Sequence, residues 1–302
     1  MDSSIPVPII CGPTGSGKTA IAVELAGDYP VEIVSADSRQ VIKHLNIGTA
    51  KPTSEERKRV RFHLVDIVEP GERYSAYRFA SEAEKAISEI LEREHIPLVV
   101  GGTGLYLRAL SEGVVEIDEN DMQLREQLEK EMEEIGPDAM YEKLERIDPL
   151  EAARLHPNNR VRVIRALEIF YLMGKTKSEL VITGSYNKSD RSYSYYCLAL
   201  SREKLYERIN NRVDCMMTEG LLEELQFLIE QGKGEGILKA NVIGYAELLD
   251  YIEGNCSLDA AVAMIKQNSR RYAKRQMTWF RHQSGCRMYA DAESLCRSLA
   301  LR

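Results

Sequence analysis

Apolar residues along this chain follow two spacings, and the change from one to the other divides the sequence. Short runs of mostly apolar, often β-branched residues lie at 7–11, 31–36, 63–68 and 96–100, which is typical of buried strands. Helical spacing of apolar residues occurs between them, most clearly over 77–94. Strands that alternate with helices predict a parallel sheet with helices packed on its faces.

From residue 121 to about 174 the pattern is almost entirely helical and rich in charge. Helix breaks are expected at Gly136-Pro137, at Asp148-Pro149 and at His156 to Asn159. One more strand is predicted at 196–200, followed by helices over 202–231, 245–251 and 258–282. We therefore predict an α/β core formed by 1–116 and 196–302, with an all-helical domain inserted over 117–195.

The turn after the first predicted strand fits the phosphate-loop pattern G-x-x-x-x-G-K-[ST]. Its residues are Gly12, Pro13, Thr14, Gly15, Ser16, Gly17, Lys18 and Thr19. Glycines let successive backbone N–H groups point inward, and the following helix adds its positive dipole end. We expect Lys18 to bridge phosphate oxygens and Thr19 to ligate Mg²⁺ in a phosphate-loop NTPase-like sheet. The alternative is an ordinary glycine-rich turn, and the loop alone does not identify what carries the phosphates.

A polar cluster, Asp37-Ser38-Arg39-Gln40, ends the second predicted strand. Ligands of open α/β sheets bind at the carboxyl ends of the strands, so these side chains are candidates for a site. The competing interpretation is that Asp37 only caps a following helix.

Composition narrows the class of protein. The chain has 302 residues, 44% of them hydrophobic, and no apolar run near the roughly 18 residues of a membrane span. Its first residues carry an acid where a signal peptide carries positive charge, so we expect a cytoplasmic protein. The cysteines form no C-x-x-C pair, and we expect them to be reduced, mostly in the core, with no zinc site.

Charge is unevenly distributed along the chain. The net charge of −7 argues against nucleic-acid binding, but segments 154–177 and 266–290 are strongly basic. After Arg154, which begins the first segment, its basic residues are Arg160, Arg162, Arg165, Lys175 and Lys177, and those of the second are Lys266, Arg270, Arg271, Lys274, Arg275, Arg281 and Arg287. These segments indicate a localised polyanion site, or else two solvated helix faces.

Several stretches together resemble the bacterial tRNA dimethylallyltransferases, also called tRNA isopentenyltransferases. They are GPTGSGKT, SADSRQ, NIGTAKP, HLVDIVEP, YSAYRFA, VVGGTGLYLRAL, DPLEAARLHPNN, RVIRALEIF, LYERINNRVDCMMTEGLLEEL, IGYAELLDYIEG and RRYAKRQMTWFR. The resemblance covers nearly the whole chain in the family's order.

The resemblance implies transfer of a dimethylallyl group from dimethylallyl diphosphate to N6 of the adenosine just 3′ of the anticodon in a tRNA anticodon stem-loop. It implies a Mg²⁺ requirement, no use of ATP, and a monomer. By family position Asp37 would take the proton from N6, and Thr14 and Arg212 would contact the reacting diphosphate.

Family position also assigns residues to the RNA. Ser38, Arg39 and Gln40 would lie beside the target base with Asp37, and Thr103 near the opening of the channel. Arg162 and Arg165 would hold the RNA backbone from the inserted domain. The chain departs from the family pattern at Ile42 and His44, near the residues assigned to the target base, and at Asn159, in the turn before Arg162.

Three other functions compete with this interpretation. A phosphate-loop kinase would need ATP and a Mg²⁺-holding aspartate, for which Asp66 is the candidate. An adenylate prenyltransferase would use the same donor on free nucleotides, but it would have little use for the insertion and the basic segments. A non-enzymatic RNA-binding module is supported by the basic segments alone.

Overall fold

The computed structural model describes residues 6–114, 122–183 and 189–299, and the chain divides into two compact units. One unit holds the residues up to Ser111 and from Ser189 onward, and the other spans Glu112–Lys188. The insertion predicted over 117–195 has other bounds than this unit, and at its C-terminal end the reason is that the following strand begins at Tyr193 and pairs with the sheet. Residues 1–5, 115–121, 184–188 and 300–302 lie outside the described residues, and they include the acidic start of the chain and the predicted start of the insertion at 117.

In chain order the described elements are β1 Val7–Cys11, α1 Lys18–Leu25, β2 Val31–Ala36, α2 Ser54–Arg59, β3 Phe62–His63, α3 Ala76–Glu92, β4 Ile96–Gly101, α4 Gly104–Glu112, α5 Met122–Ile147, α6 Pro149–Ala152, α7 Arg160–Met173, α8 Lys177–Ile182, β5 Tyr193–Leu198, α9 Arg202–Thr218, α10 Leu221–Glu230, α11 Gly234–Ala240, α12 Tyr245–Ile252, α13 Leu258–His282, β6 Arg287–Tyr289 and α14 Ala292–Ser298.

The six strands form one sheet in the order β3-β2-β4-β1-β5-β6, and every neighbouring pair is parallel. The predicted α/β class is therefore confirmed. Because all strands run the same way, the loops after β1, β2 and β4 emerge at one edge of the sheet. That edge carries the phosphate loop and the polar cluster after β2.

Both faces of the sheet are covered, as its apolar strands require. On one face Ile9, Val34 and Val99 pack with Phe79 of α3 and Phe280 of α13. On the other face Ile10, Ile33 and Leu98 pack with residues of α1 and α14. Adjacent strand residues thus enter different clusters, which is the period of two expected for strands buried on both sides.

The strand predicted over 63–68 is wrong beyond its first residue. β3 ends at His63, and only Val68 returns to make an isolated parallel bridge with Ile42. Leu64 and Asp66 between them have positive φ angles of 60° and 61°, which no strand accommodates. The Asp66 carboxylate turns instead to the Lys51 ammonium, 2.5 Å away.

A third apolar cluster lies among the helices after β5. Val213, Leu221, Leu225 and Tyr245 are buried there together with Leu45 from the loop after β2. The single helix predicted over 202–231 is wrong, because Gly220 at φ 97° separates α9 from α10. This cluster fixes the loop after β2 against α9 to α13.

The Glu112–Lys188 unit has a helical core of its own. Met132, Met140 and Leu144 of α5 pack against Val163 and Leu167 of α7. The break predicted at Gly136-Pro137 lies inside α5, where Gly136 has non-helical angles of φ 84° and ψ 167°.

Among the described residues, every helix is too short or too polar to span a membrane.

Candidate active site

One cavity of about 410 Å³ opens in the sheet-bearing unit, where the loops after β1, β2 and β4 meet helices α9 and α13. Its lining includes predicted site residues from distant parts of the sequence, namely Thr14, Lys18, Thr19, Asp37, Arg39, Gln40 and Arg212. Ser38 and Thr103 do not line it but are bonded to each other beside Asp37. The fold therefore brings together the residues that family position assigned to chemistry.

Three glycines give the phosphate loop its backbone conformation. Gly12, Gly15 and Gly17 have φ angles of 144°, 77° and 102°, a region that side chains avoid. A Cβ at Gly12 would lie 2.7 Å from the Leu198 carbonyl oxygen of β5. Gly17 is also the N-cap of α1, so no N-cap side chain competes for the first N–H groups of that helix. The loop presents backbone donors to an anion.

Lys18 is the cation at the centre of the loop. Its Nζ donates a 2.8 Å hydrogen bond to the Pro13 carbonyl oxygen. Burial lowers the pKa of Lys18, the Asp37 carboxylate opposes that effect, and the result is a pKa of about 8. The lysine is charged at neutral pH, but its charge is poorly solvated and is stabilised by any anion that enters.

The lowered pKa of Lys18 predicts how anion binding depends on pH. Since the protonated lysine binds the anion, affinity for inorganic diphosphate should be highest below pH 8 and fall as pH rises through about 8. The fall should reach about tenfold per pH unit, as expected for loss of one proton. Calorimetric titration in Mg²⁺-free buffers over this range measures it.

A Lys18→Met variant is the control for this titration. Ionisation of the diphosphate itself affects both proteins equally, so the ratio of their affinities isolates the lysine. If the ratio of the two diphosphate affinities stays constant across pH 8, protonated Lys18 is not what binds the anion.

Asp37 is held rigidly just beyond the end of β2. Its Oδ1 accepts a 2.9 Å hydrogen bond from the Arg39 backbone N–H. Both neighbours of Asp37 are bonded to Thr103. The Thr103 N–H donates to the Ala36 carbonyl at 3.2 Å, and the Ser38 N–H donates to the Thr103 hydroxyl at 3.0 Å. Thr103 thus ties the turn to the end of β4, and the Asp37 carboxylate lines the cavity.

Arg212 brings a second cation from α9. Its Nη1 donates to the Thr14 hydroxyl at 3.4 Å. Burial lowers the pKa of Arg212, and the Asp37 carboxylate opposes that effect. Lys18 and Arg212 therefore share one carboxylate, which leaves an excess of positive charge in the cavity that a phosphate group can neutralise.

Gln40 and Arg39 already have protein partners. The Gln40 carbonyl oxygen accepts from the Ser35 hydroxyl at 2.9 Å, and its amide donates to the Ala50 carbonyl at 3.0 Å. Arg39 donates to the Ala240 carbonyl at 2.9 Å. Contact of these residues with a base stays a prediction, and in this structure they hold the loop after β2 in place.

Arg162 and Arg165 both lie on α7 of the helical unit. Arg162 is exposed, whereas Arg165 donates to the buried Glu168 carboxylate at 2.8 Å. Arg165 would have to give up this ion pair before meeting a phosphate. Their predicted contact with RNA stays a prediction.

Sequence reasoning missed Gln276, a buried residue of α13. Its Oε1 accepts from the Thr14 N–H at 2.8 Å, and its Nε2 donates to the Gly102 carbonyl at 2.8 Å. One amide thus joins the phosphate loop to the loop after β4. Nothing in the sequence distinguishes it from other polar residues of a basic helix, since its role depends on two backbone groups far away in the chain.

Replacing Gln276 with methionine should loosen the phosphate loop. The change leaves the Thr14 N–H and the Gly102 carbonyl without their shared partner, at a cost of about 1–3 kcal/mol for each buried group. We expect inorganic diphosphate affinity to fall about tenfold or more and the melting temperature to drop by several degrees.

The matched control is Gln267→Met, an exposed position on the same helix. It should leave both diphosphate affinity and melting temperature unchanged. Equal diphosphate affinity in the two variants would show that the Gln276 bridge does not position the loop.

The loop over 46–52 is fixed by buried polar groups. The Tyr245 hydroxyl accepts from the Gly48 N–H at 3.1 Å and donates to Glu224 at 2.5 Å, and Glu224 also accepts from the Ile47 N–H. The buried Lys51 ammonium lies 2.5 Å from Asp66, which Arg57 contacts as well. Asp66 is therefore engaged in holding the loop and is absent from the cavity lining, which weakens its case as a kinase magnesium ligand.

Known proteins of the family that the sequence resembles match nearly the whole chain. The family model described as IPP transferase matches residues 40–283, and the one described as isopentenyl transferase matches 5–68. The tRNA dimethylallyltransferase 1 of Syntrophotalea carbinolica is 46% identical over 279 residues, which are 92% of this chain and 89% of that protein.

Two solved structures of similar proteins have the same fold as this chain. The full-length tRNA isopentenylpyrophosphate transferase of Bacillus halodurans is 40% identical with a TM-score of 0.68, over 97% of this chain and 93% of that one. A eukaryotic dimethylallyltransferase acting on tRNA is 33% identical with a TM-score of 0.77, and the match covers 91% of this chain and 69% of that one. With its phosphate loop, Asp37 and Arg212 gathered in one cavity, this chain belongs to the tRNA dimethylallyltransferase family.

Proposed function

We propose that this protein transfers the dimethylallyl group of dimethylallyl diphosphate to N6 of the adenosine 3′-adjacent to the anticodon of tRNA, releasing diphosphate. The observation that carries the proposal is the cavity itself, in which the cations Lys18 and Arg212, the Asp37 carboxylate and an apolar wall come together. Each of these parts corresponds to one part of the reaction.

The cationic part of the cavity suits the diphosphate. Lys18 and Arg212 line the cavity and would stabilise the leaving diphosphate, whose charge grows as the bond to carbon breaks. The Ser16 hydroxyl is fully buried with no hydrogen-bond partner among the described residues, as expected of a loop shaped around a ligand.

The donor set also fits magnesium. The Thr19 hydroxyl lines the cavity beside Lys18, and hard oxygen donors of this kind bind Mg²⁺ together with phosphate oxygens. Bound there, the ion would supply charge neutralisation of the diphosphate.

An apolar wall distinguishes this cavity from one that binds only nucleotides. Ile209, Val213 and Met216 lie on one face of α9 with Arg212, and Ile265 of α13 lines the same space. A five-carbon allyl chain is apolar and would be desolvated against this wall. Arg212, on the same helix, places the cationic part next to the apolar part.

Asp37 suits the proton that must leave N6. An adenine amine is a weak nucleophile because its lone pair is delocalised into the ring, so a base must accept a proton as the new bond forms. In the balanced step N6 forms a bond to C1 of the allyl group, the C1–O bond breaks, diphosphate leaves with the electron pair, and Asp37 takes the proton. Thr14, held by Gln276 and Arg212, would contact the same diphosphate.

Helix α13 offers a surface for the RNA. Arg271, Lys274 and Arg275 are exposed along it, and Arg275 also lines the cavity. Backbone contacts by such residues, with Arg162 of the helical unit, would hold the anticodon stem-loop while the target base leaves its stack. We propose that the protein acts as a monomer.

The direct test combines purified protein with labelled dimethylallyl diphosphate, Mg²⁺ and unmodified tRNA, with adenosine monophosphate and ATP assayed in parallel. Nucleoside analysis should find label on the adenosine next to the anticodon, without ATP. Label on the free nucleotide would instead identify an adenylate prenyltransferase, and ATP consumption without transfer would identify a kinase.

A further inference from the structure

Three cysteine thiols meet beneath the phosphate loop. Cys11 is the last residue of β1, Cys197 lies opposite it on β5, and Cys286 immediately precedes β6. All three Sγ atoms lie within 4.8 Å of one another, and those of Cys11 and Cys286 are 4.0 Å apart. Parallel strands β1, β5 and β6 are consecutive in the sheet, so the thiols come together where three neighbouring strands lie side by side.

The spacing matches that of ligands around one metal ion. With Zn–S bonds of about 2.3 Å, three thiolates in a plane around the ion would have sulfurs about 4.0 Å apart. The Cys11 and Cys286 sulfurs already have that separation, and the upper limit of 4.8 Å asks only for small side-chain rotations. Soft thiolate ligands favour Zn²⁺ and Cu⁺ over Mg²⁺.

We propose that Cys11, Cys197 and Cys286 form a binding site for a thiophilic cation of the Zn²⁺ or Cu⁺ class. Cys11 and Cys197 are fully buried, and the half-buried Cys286 gives the ion a way in. Lys18 is close enough for its charge to interact with Cys11 and Cys197, so it would offset negative charge on the bound thiolates. The site lies one residue before Gly12 and is separate from the Thr19 oxygen site.

A protein with only these three thiols isolates the cluster. The triple variant C215S/C256S/C296S removes the other cysteines, which are exposed or half-buried and outside the cluster. Titration with Cd²⁺ under a non-thiol reductant should give the ultraviolet charge-transfer band of cadmium–thiolate bonds, saturating at one ion per chain. Adding Cys286→Ser to this background should weaken Cd²⁺ binding by about 100-fold or more, since loss of even an outer-shell partner costs 10–100-fold.

Absence of the band in the triple variant, or equal affinity after Cys286→Ser, would overturn the proposal. X-ray absorption on the Zn²⁺-loaded triple variant serves where the Cys286 variant fails to fold, because it needs no further substitution. It should count three sulfur neighbours at about 2.3 Å. A shell of oxygen and nitrogen only, or two thiols lost to a disulfide with no bound metal, would equally reject the site.

Discussion

Replacing Asp37 with asparagine is expected to lower kcat by about 10²- to 10⁴-fold, the usual contribution of a general base. Asparagine keeps the side-chain oxygen that accepts from the Arg39 N–H, so the turn should survive. It cannot take a proton from N6. Turnover should be measured with labelled dimethylallyl diphosphate at saturating tRNA, and tRNA binding should stay close to normal.

The same substitution also affects the diphosphate site. The Asp37 carboxylate raises the pKa of Lys18 and of Arg212, so its removal should lower both. Lys18 then carries less charge near neutral pH, and donor affinity should weaken moderately. For this reason the comparison must be made at saturating donor, where a change in donor affinity no longer affects the measured rate.

Asp28→Asn is the matched control, since Asp28 is an exposed carboxylate of the same unit away from the cavity. It should turn over like the parent protein and have the same melting temperature. An Asp37→Asn enzyme within about threefold of the parent kcat would reject Asp37 as the base, because a general base is worth far more.

Gly101→Ala is expected to be among the most destabilising single changes in the chain. Gly101 ends β4 and pairs with Ala36 of β2, and a Cβ there would lie 2.1 Å from the Ala36 carbonyl oxygen. The obstacle is backbone, so a strand must move. We expect a loss of about 3–5 kcal/mol and a drop in melting temperature of roughly 10 °C.

The effect of Gly101→Ala should extend to activity, because Ala36 immediately precedes Asp37. The control is Gly234→Ala at the start of α11, where the nearest atom to a new Cβ is 3.6 Å away. It should be neutral or slightly stabilising. Equal melting temperatures for the two alanine variants would show that β2 and β4 are not held as closely as the structure has them.

How far the sequence predicts this fold depends on whether the signal is local. β1, β2 and β4 are predicted because each is a continuous apolar run, and the phosphate loop because its glycines and Lys18 are adjacent in the chain. β6 has only three residues, the first two of them exposed, so it carries no apolar run to identify it. β6 forms because its backbone pairs in parallel with β5.

The same distinction applies to the site. Family position brings Asp37 and Arg212 together, although about 175 residues separate them, because the resemblance summarises a fold as well as a sequence. Gln276 and the cysteine cluster have no such signal. An amide that joins two backbone groups, or three thiols on or beside three strands, comes together only when the sheet is assembled.

The position of β1 in the sheet has a consequence for synthesis on the ribosome. β1 lies between β4 and β5, and the helical unit is encoded between those two strands. About 90 residues separate them, so at 5–20 residues per second β1 waits about 5–20 s for its second neighbour. The helical unit, complete in sequence by then, can fold first. Because Gly12 packs on Leu198 and Thr14 on Gln276, the nascent chain gains its anion site only near the end of translation.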